Sequence, residues 1–499
     1  MGIVRKQSFV SSIYIYLGFA VGAINTVYLF PKYFTPEQFG LTKLLTDVAM
    51  LMAMFCTLGS ATATVKFFPF YKSYLPAKKN DLPFITFLAC IVGCLLFIGI
   101  TPFCKELIIK KFSKNSSLFV EYFYLIYPLT IAYAFWILLE NIEWCIQNSV
   151  LTNFLKEVGF RLITTLLVIV YMLGFVNFHQ FIILFSGLYI VPVLVLVIDL
   201  YKKGYFNFTF TISKVTKRLG KYILTFSLFI FSGQMVALIA RTADTILISG
   251  KSTNGLTDTA VFTIATFLIA MMEVPQRSMM GIAVATISYA WKDKDMNKIE
   301  EMYKKTALNL TILGLGIGCV MLLNANNMVA YFGSKYATLP ALLLILGLSK
   351  LADLGTGLNS QILLSSKHWK LDFSTNMLFV FLSIPFNFYL ISKMGLIGAA
   401  YATLISTLVY NLTRLIIIWK LFHILPYTLK SILPIIIAVA AFFISYAIPV
   451  FGNYFLDAVI RTSVFTGIYA IGIIKLRASS DINDMYFSVL ERIKPSLKK

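Results

Sequence analysis

The chain has 499 residues, 59% hydrophobic and 13% charged, with a mean hydropathy of +0.81 and a formal net charge of +21. Soluble domains carry about 25% charged residues, so a water-soluble fold is excluded. The basic residues lie between apolar runs rather than clustered on a soluble module, which excludes a nucleic-acid surface and leaves anionic lipid as the partner of the charge.

A helical crossing of the hydrocarbon takes about 20 apolar residues. Apolar runs between loop signals predict fourteen helices, over 8–30, 41–65, 84–102, 121–146, 150–175, 178–201, 223–249, 259–291, 305–330, 338–366, 371–392, 395–421, 429–449 and 454–476. The first is too long for a signal-peptide core and ends without a small-residue cleavage site, so it reads as a retained membrane helix. Its Gly18 and Gly22 form a G-x-x-x-G packing pattern. The second helix carries Asp47 near its outer end. After the third, the loop 103–120 holds Lys105, Lys110, Lys111 and Lys114. The fourth presents Tyr133, Trp136, Glu140, Glu143 and Gln147 on one face, and the fifth carries Arg161 with Glu157 one turn away. The seventh places Gln234, Arg241 and Asp244 together. The eighth aligns Thr259, Thr263, Thr266, Glu273 and Arg277, and must tilt, kink at Pro275 or extend beyond the membrane. Lys350 and Asp353 share the tenth, beside Gly355 and Gly357. The twelfth offers Thr403, Thr407, Tyr410 and Arg414.

Lysines and arginines concentrate in the N-terminus, the even-numbered loops and the C-terminal tail, which predicts both termini in the cytoplasm. The lysines of 103–120 run against that pattern. The expected fold is an all-α integral membrane protein with two six-helix lobes related by pseudo-symmetry and two further helices. The lobes span 1–204 and 223–422, a cytoplasmic linker spans 205–222, and 423–499 holds helices thirteen, fourteen and a cytoplasmic tail. A faint repeat supports the symmetry: FGLTKLLTDVAMLMAMF follows the first helix as GLTDTAVFTIATFLIAMM follows the seventh.

Ionised groups in hydrocarbon are costly unless paired or wetted. Side chains three and four residues apart meet on a helix, so each polar stripe must face protein or water rather than lipid. Arg241/Asp244, Glu273/Arg277 and Lys350/Asp353 therefore read either as ion pairs joining helices or as the wall of a polar path. Arg414 has no partner within one turn, which favours a cavity role, whereas Arg161 can reach the interface. Arginine suits phosphate because its planar fork donates bidentately. Glu140 and Glu143 share a face, where like charges would favour protonation of one; they read either as a coupling group or as a water-exposed pair near the cytoplasmic end. The six cysteines lie mostly in apolar runs and read as packing residues. The three histidines are far apart, so neither a metal site nor a cofactor is expected, and nothing resembles an enzyme active site.

Four segments carry a resemblance: YFTPEQFGL (33–41), RTADTILISG (241–250), the stretch from Val261 through Pro275 to Ala290, and MGLIGAAYATLIST (394–407). In order and spacing they resemble polysaccharide-type flippases, such as O-antigen flippases, of the multidrug/oligosaccharidyl-lipid/polysaccharide (MOP) superfamily. The resemblance implies a bacterial inner-membrane transporter of lipopolysaccharide or other surface-polysaccharide synthesis. Such a transporter moves an undecaprenyl-diphosphate-linked oligosaccharide from the cytoplasmic to the outer leaflet by alternating access, with glycan polymerases or transferases as partners. It places Arg241, Asp244 and Arg277 in matching helices. The stripes add Lys350, Arg414 and Arg161 as substrate-binding candidates, and Glu140, Glu143, Asp244, Glu273 and Asp353 as ion-coupling candidates. The alternatives are a cation-coupled multidrug antiporter of the same superfamily and a membrane glycan polymerase or transferase.

Overall fold

The computed structural model describes residues 3–76, 79–146, 148–205 and 211–484. Gln147 of the fourth-helix stripe, residues 206–210 of the linker and the tail beyond 484 lie outside the described residues. Within them the chain is helical, with no strand, and eleven helices are long and apolar enough to span a membrane. One of these, 370–422, breaks at Gly395 and supplies two of the expected crossings. The helical stretch 149–172 and the pair of helices over 255–292 occupy the remaining expected runs.

The chain divides into two compact units, residues 1–263 and 264–499. In the first, α1 (Ile3–Ala23) continues through a π-turn to Tyr33, and α2 (Pro36–Thr57) opens on a capping box between Thr35 and Gln38. The single run read as 41–65 is interrupted. Leu58 and Gly59 both take positive φ, at 50° and 73°, before α3 (Ser60–Tyr74) begins. Next come α4 (Leu82–Phe112), α5 (Ile126–Cys145), α6 (Phe160–Met172), α7 (Phe178–Ser186), α8 (Ile190–Lys202) and α9 (Lys214–Lys251).

Helices inside a bilayer gain little from hydrophobic burial and associate by close packing of small residues. A side chain at Gly18 would overlap the Glu157 carbonyl, and one at Gly93 would overlap that of Cys56. Gly18 thus brings α1 to the stretch before α6, as the packing pattern predicts, and Gly93 brings α4 onto α2. Cys56, Cys90 and Cys94 are buried beside that contact as free thiols. The helix α9 packs along α2 and α3 in this unit. Its start is fastened by Asp81, which accepts from Ser213 N (2.8 Å) and Thr216 Oγ1 (2.7 Å).

The helix α10 (Gly255–Met271) crosses into the second unit, which continues with α11 (Val274–Lys292), α12 (Met296–Leu323), α13 (Leu339–Gly355) and α14 (Asn359–Ser365). The long run expected over 259–291 ends at Met271 and restarts at Val274, with Pro275 in the first turn of α11. Proline is tolerated there because that turn has no use for its missing N–H. The helix α15 (Trp369–Phe422) folds back on itself at Gly395, whose φ of 57° and ψ of −136° suit glycine alone. A side chain at Gly398 would meet the Leu390 carbonyl, so MGLIGAA is a hairpin between helices with two glycines at its crux. Gly395→Ala is expected to cost about 1–3 kcal/mol of stability, read as a lower thermal midpoint of the detergent-solubilised protein; an unchanged midpoint would refute the requirement.

Finally, α16 (Leu433–Tyr446) and α17 (Tyr454–Lys475) pack on each other and on α12. Arg461 and Asp457, buried and 2.7 Å apart, close this pair: Arg461 donates to the carbonyls of Ser445, Tyr446 and Ile448 at the end of α16.

Candidate functional site

The break between α10 and α11 leaves Glu273 at the N-cap of α11, where a carboxylate is favoured by the helix dipole. One turn on, Arg277 Nη2 lies 2.9 Å from Glu273 Oε2. On α13, Lys350 and Asp353 are joined at 2.8 Å. These two local pairs are linked by a tertiary contact, Lys350 Nζ to Glu273 Oε1 at 2.7 Å. The result is one alternating row, Arg277–Glu273–Lys350–Asp353, with no net charge. It continues by hydrogen bond from Asn411 to Asp353 (3.4 Å) and from Thr356 to Asn411 (3.1 Å).

Glu273, Lys350 and Asp353 of the row border a cavity of about 410 Å³ within the second unit. The sequence stripes meet here: Thr266 and Glu273 from the eighth run, Lys350 and Asp353 from the tenth, and Thr403, Thr407 and Tyr410 from the twelfth all line it. Lys350 is the deepest of the charged groups, its side chain 14% exposed, while Arg277 is 46% exposed. The cavity offers a ligand the Lys350 ammonium, the Glu273 and Asp353 carboxylates, and the hydroxyls of Thr266, Thr403, Thr407 and Tyr410.

Arg414 does not line the cavity, and the reading of it as unpartnered is corrected. Its guanidinium is buried and ion-paired with Asp372, and Nε donates to Thr375 Oγ1 at 3.0 Å. It also lies 4.2 Å from the Tyr410 ring centre. Asp372 in turn accepts from Ser360 (2.9 Å) and Asn376 (3.2 Å), and Asn376 accepts from the Tyr410 hydroxyl at 3.2 Å. Because Asn376 and Tyr410 do face the cavity, this buried pair braces its wall from behind.

The other candidates lie in the first unit. Arg161 Nη1 is 3.4 Å from Glu157 Oε2 and 2.8 Å from its carbonyl, while the Arg161 carbonyl accepts from Asn25 at 2.9 Å, so it serves the contact with α1. Glu140 and Glu143 are both buried, but the expected like-charge pair does not form in isolation, since each has its own cation. Glu140 pairs with Lys156 at 3.0 Å. Glu143 meets Lys203 at 3.6 Å and accepts from Asn148 at 2.6 Å, and Asn148 also donates to Asp199. On α9, Arg241 is exposed and Asp244 half-buried. Sequence reasoning missed Asp372, Asn376 and Asn411, and also the Asp457/Arg461 pair, although its four-residue spacing was a usable signal.

No family model and no curated protein matches the chain. Solved structures do. Over 94% of this chain and 99% of the other, the fold is similar to that of lipid II flippase MurJ in an inward closed conformation (TM-score 0.71, 16% identity). An inward-facing multidrug resistance MATE family transporter of the MOP superfamily matches with a TM-score of 0.60 and 14% identity, over 85% of this chain and 95% of that one. A MOP superfamily transporter from Pyrococcus furiosus, described by a binding pocket of reverse polarity, matches with a TM-score of 0.55 and 15% identity, over 86% and 98%. The likeness is one of fold, carried along nearly the whole chain: this multi-pass membrane protein has the fold of the MOP superfamily transporters.

Proposed function

We propose that the protein is a flippase for a lipid-linked oligosaccharide, carrying a polyprenyl diphosphate headgroup from the cytoplasmic to the outer leaflet by alternating access. The observation that carries this reading is the match to MurJ over 94% of the chain, against 85% for the MATE transporter. In this reading Lys350 and Arg277 hold phosphate oxygens, because a diphosphate leaving water needs fixed cations. The threonines and Tyr410 across the cavity suit sugar hydroxyls. Arg414 positions Tyr410 and Asn376, and Glu273 and Asp353 supply the acids for coupling to a cation. Arg241 is a further substrate-binding candidate on the first unit, and Glu140, Glu143 and Asp244 are further coupling candidates there. An inner-membrane location with both termini cytoplasmic, a role in O-antigen or related polysaccharide synthesis, and a glycan polymerase or transferase as partner belong to the same proposal.

A cation-coupled multidrug antiporter is the second reading, favoured by the equal number of acids and bases in the charged row. Proteoliposomes separate the two. A fluorophore on the sugar of an undecaprenyl-diphosphate-linked oligosaccharide is expected to become accessible to a membrane-impermeant quencher only when the protein is present. Efflux of a cationic dye without glycolipid movement would overturn the flippase assignment in favour of the antiporter.

A further inference from the structure

The helix α4 has 31 residues, about 46 Å at 1.5 Å per residue, against a hydrocarbon thickness of about 30 Å. Its last turns therefore stand beyond the acyl chains. Along one face Leu96, Ile100, Phe103 and Leu107 follow at three- and four-residue steps, all bare, with Phe103 86% and Leu107 68% exposed. The same steps continue without interruption to Lys110, Lys111 and, just past the helix, Lys114. These three lysines are exposed, and among the described residues none is within ion-pair distance of a carboxylate. Glu106, the one carboxylate on this helix end, sits four residues before Lys110 without pairing to it. A second helix end adds to them: the Lys111 Cε lies 3.4 Å from the position a Gly250 side chain would take, which brings in Lys251.

An uncovered apolar stripe in a membrane protein faces acyl chains. A stripe that turns from leucine and phenylalanine to lysine one turn later places its ammonium groups at the level of the lipid phosphates. In the topology expected from the sequence this charge lies on the face opposite the lysine-rich loops, where the positive-inside pattern disfavours it. We propose that Lys110, Lys111, Lys114 and Lys251 form a binding site for the phosphate of an anionic lipid headgroup, whose acyl chains lie along Leu96, Ile100, Phe103 and Leu107. The site lies apart from the cavity of the second unit and does not depend on what that cavity carries.

The full-length protein in neutral detergent, titrated with cardiolipin and followed by native mass spectrometry, tests this. The triple variant Lys110→Gln, Lys111→Gln, Lys114→Gln is expected to bind cardiolipin roughly tenfold more weakly or worse. A charge-matched control, Lys217→Gln, Arg218→Gln, Lys221→Gln, should retain native binding. Equal loss in both variants would reduce the effect to net charge, and native binding in the first would remove the site; either overturns the proposal. A lowered thermal midpoint with cardiolipin binding intact would assign the lysines to helix-end stabilisation and also overturn it. Inorganic pyrophosphate is expected not to compete; displacement of cardiolipin at equal concentration would mark a site for soluble anions instead.

Discussion

Lys350→Gln is expected to reduce transport at least tenfold, the largest functional effect of any single substitution in the cavity. Lys350 touches two carboxylates, Glu273 at 2.7 Å and Asp353 at 2.8 Å. Without it, two acids face each other across a pocket from which a fixed cation has gone. A hydrogen bond to a charged group contributes about 1.5–3 kcal/mol, and 1.4 kcal/mol is tenfold in rate. A partner substitution separates ligand binding from helix adhesion. Lys350→Gln with Glu273→Gln removes one charge of each sign and should restore the thermal midpoint towards native. Transport that returns in this double variant assigns Lys350 to the contact between α11 and α13, whereas transport that stays lost while Glu273→Gln alone still transports assigns Lys350 to the substrate.

Arg414→Met should have the largest effect on stability, about 3–5 kcal/mol, because it leaves the buried carboxylate of Asp372 without its cation. The combined variant Asp372→Leu, Arg414→Met should recover most of that loss, since a well-packed apolar pair of similar volume is often neutral or better. Thermal unfolding of the purified single and double variants reads both effects. A single variant as stable as the native protein would show that Asp372 finds water or another donor, and would remove the bracing role given to the pair.

The fold was legible because the bilayer imposes a length and a polarity on every crossing, and apolar runs of about 20 residues record both. Local ion pairs were legible for the same reason that helices are periodic: Glu273/Arg277 and Lys350/Asp353 announce themselves at four- and three-residue spacing. The link between those pairs was not, since Lys350 and Glu273 are 77 positions apart and nothing local encodes which helices adjoin. Arg414 shows the same limit in reverse. Its partner Asp372 lies 42 positions earlier, at the end of a run where an acid passes for an interfacial residue. The helix break at 272–273 was half visible, since Pro275 signalled an interruption but not which side of it would carry the charge. The glycines of MGLIGAA were seen as a motif before they had a geometry.

The alternating row along the cavity has a consequence for how a ligand can be held. Both cations in it already have a carboxylate, so in the proposed flippase a diphosphate would reach Lys350 through its one remaining N–H, in competition with Glu273 and Asp353. Such binding shares a cation rather than filling a vacant charge, and both acids stay beside the ligand as competitors for it. For the proposed carrier, which must surrender its cargo on the far side, those resident competitors would favour release.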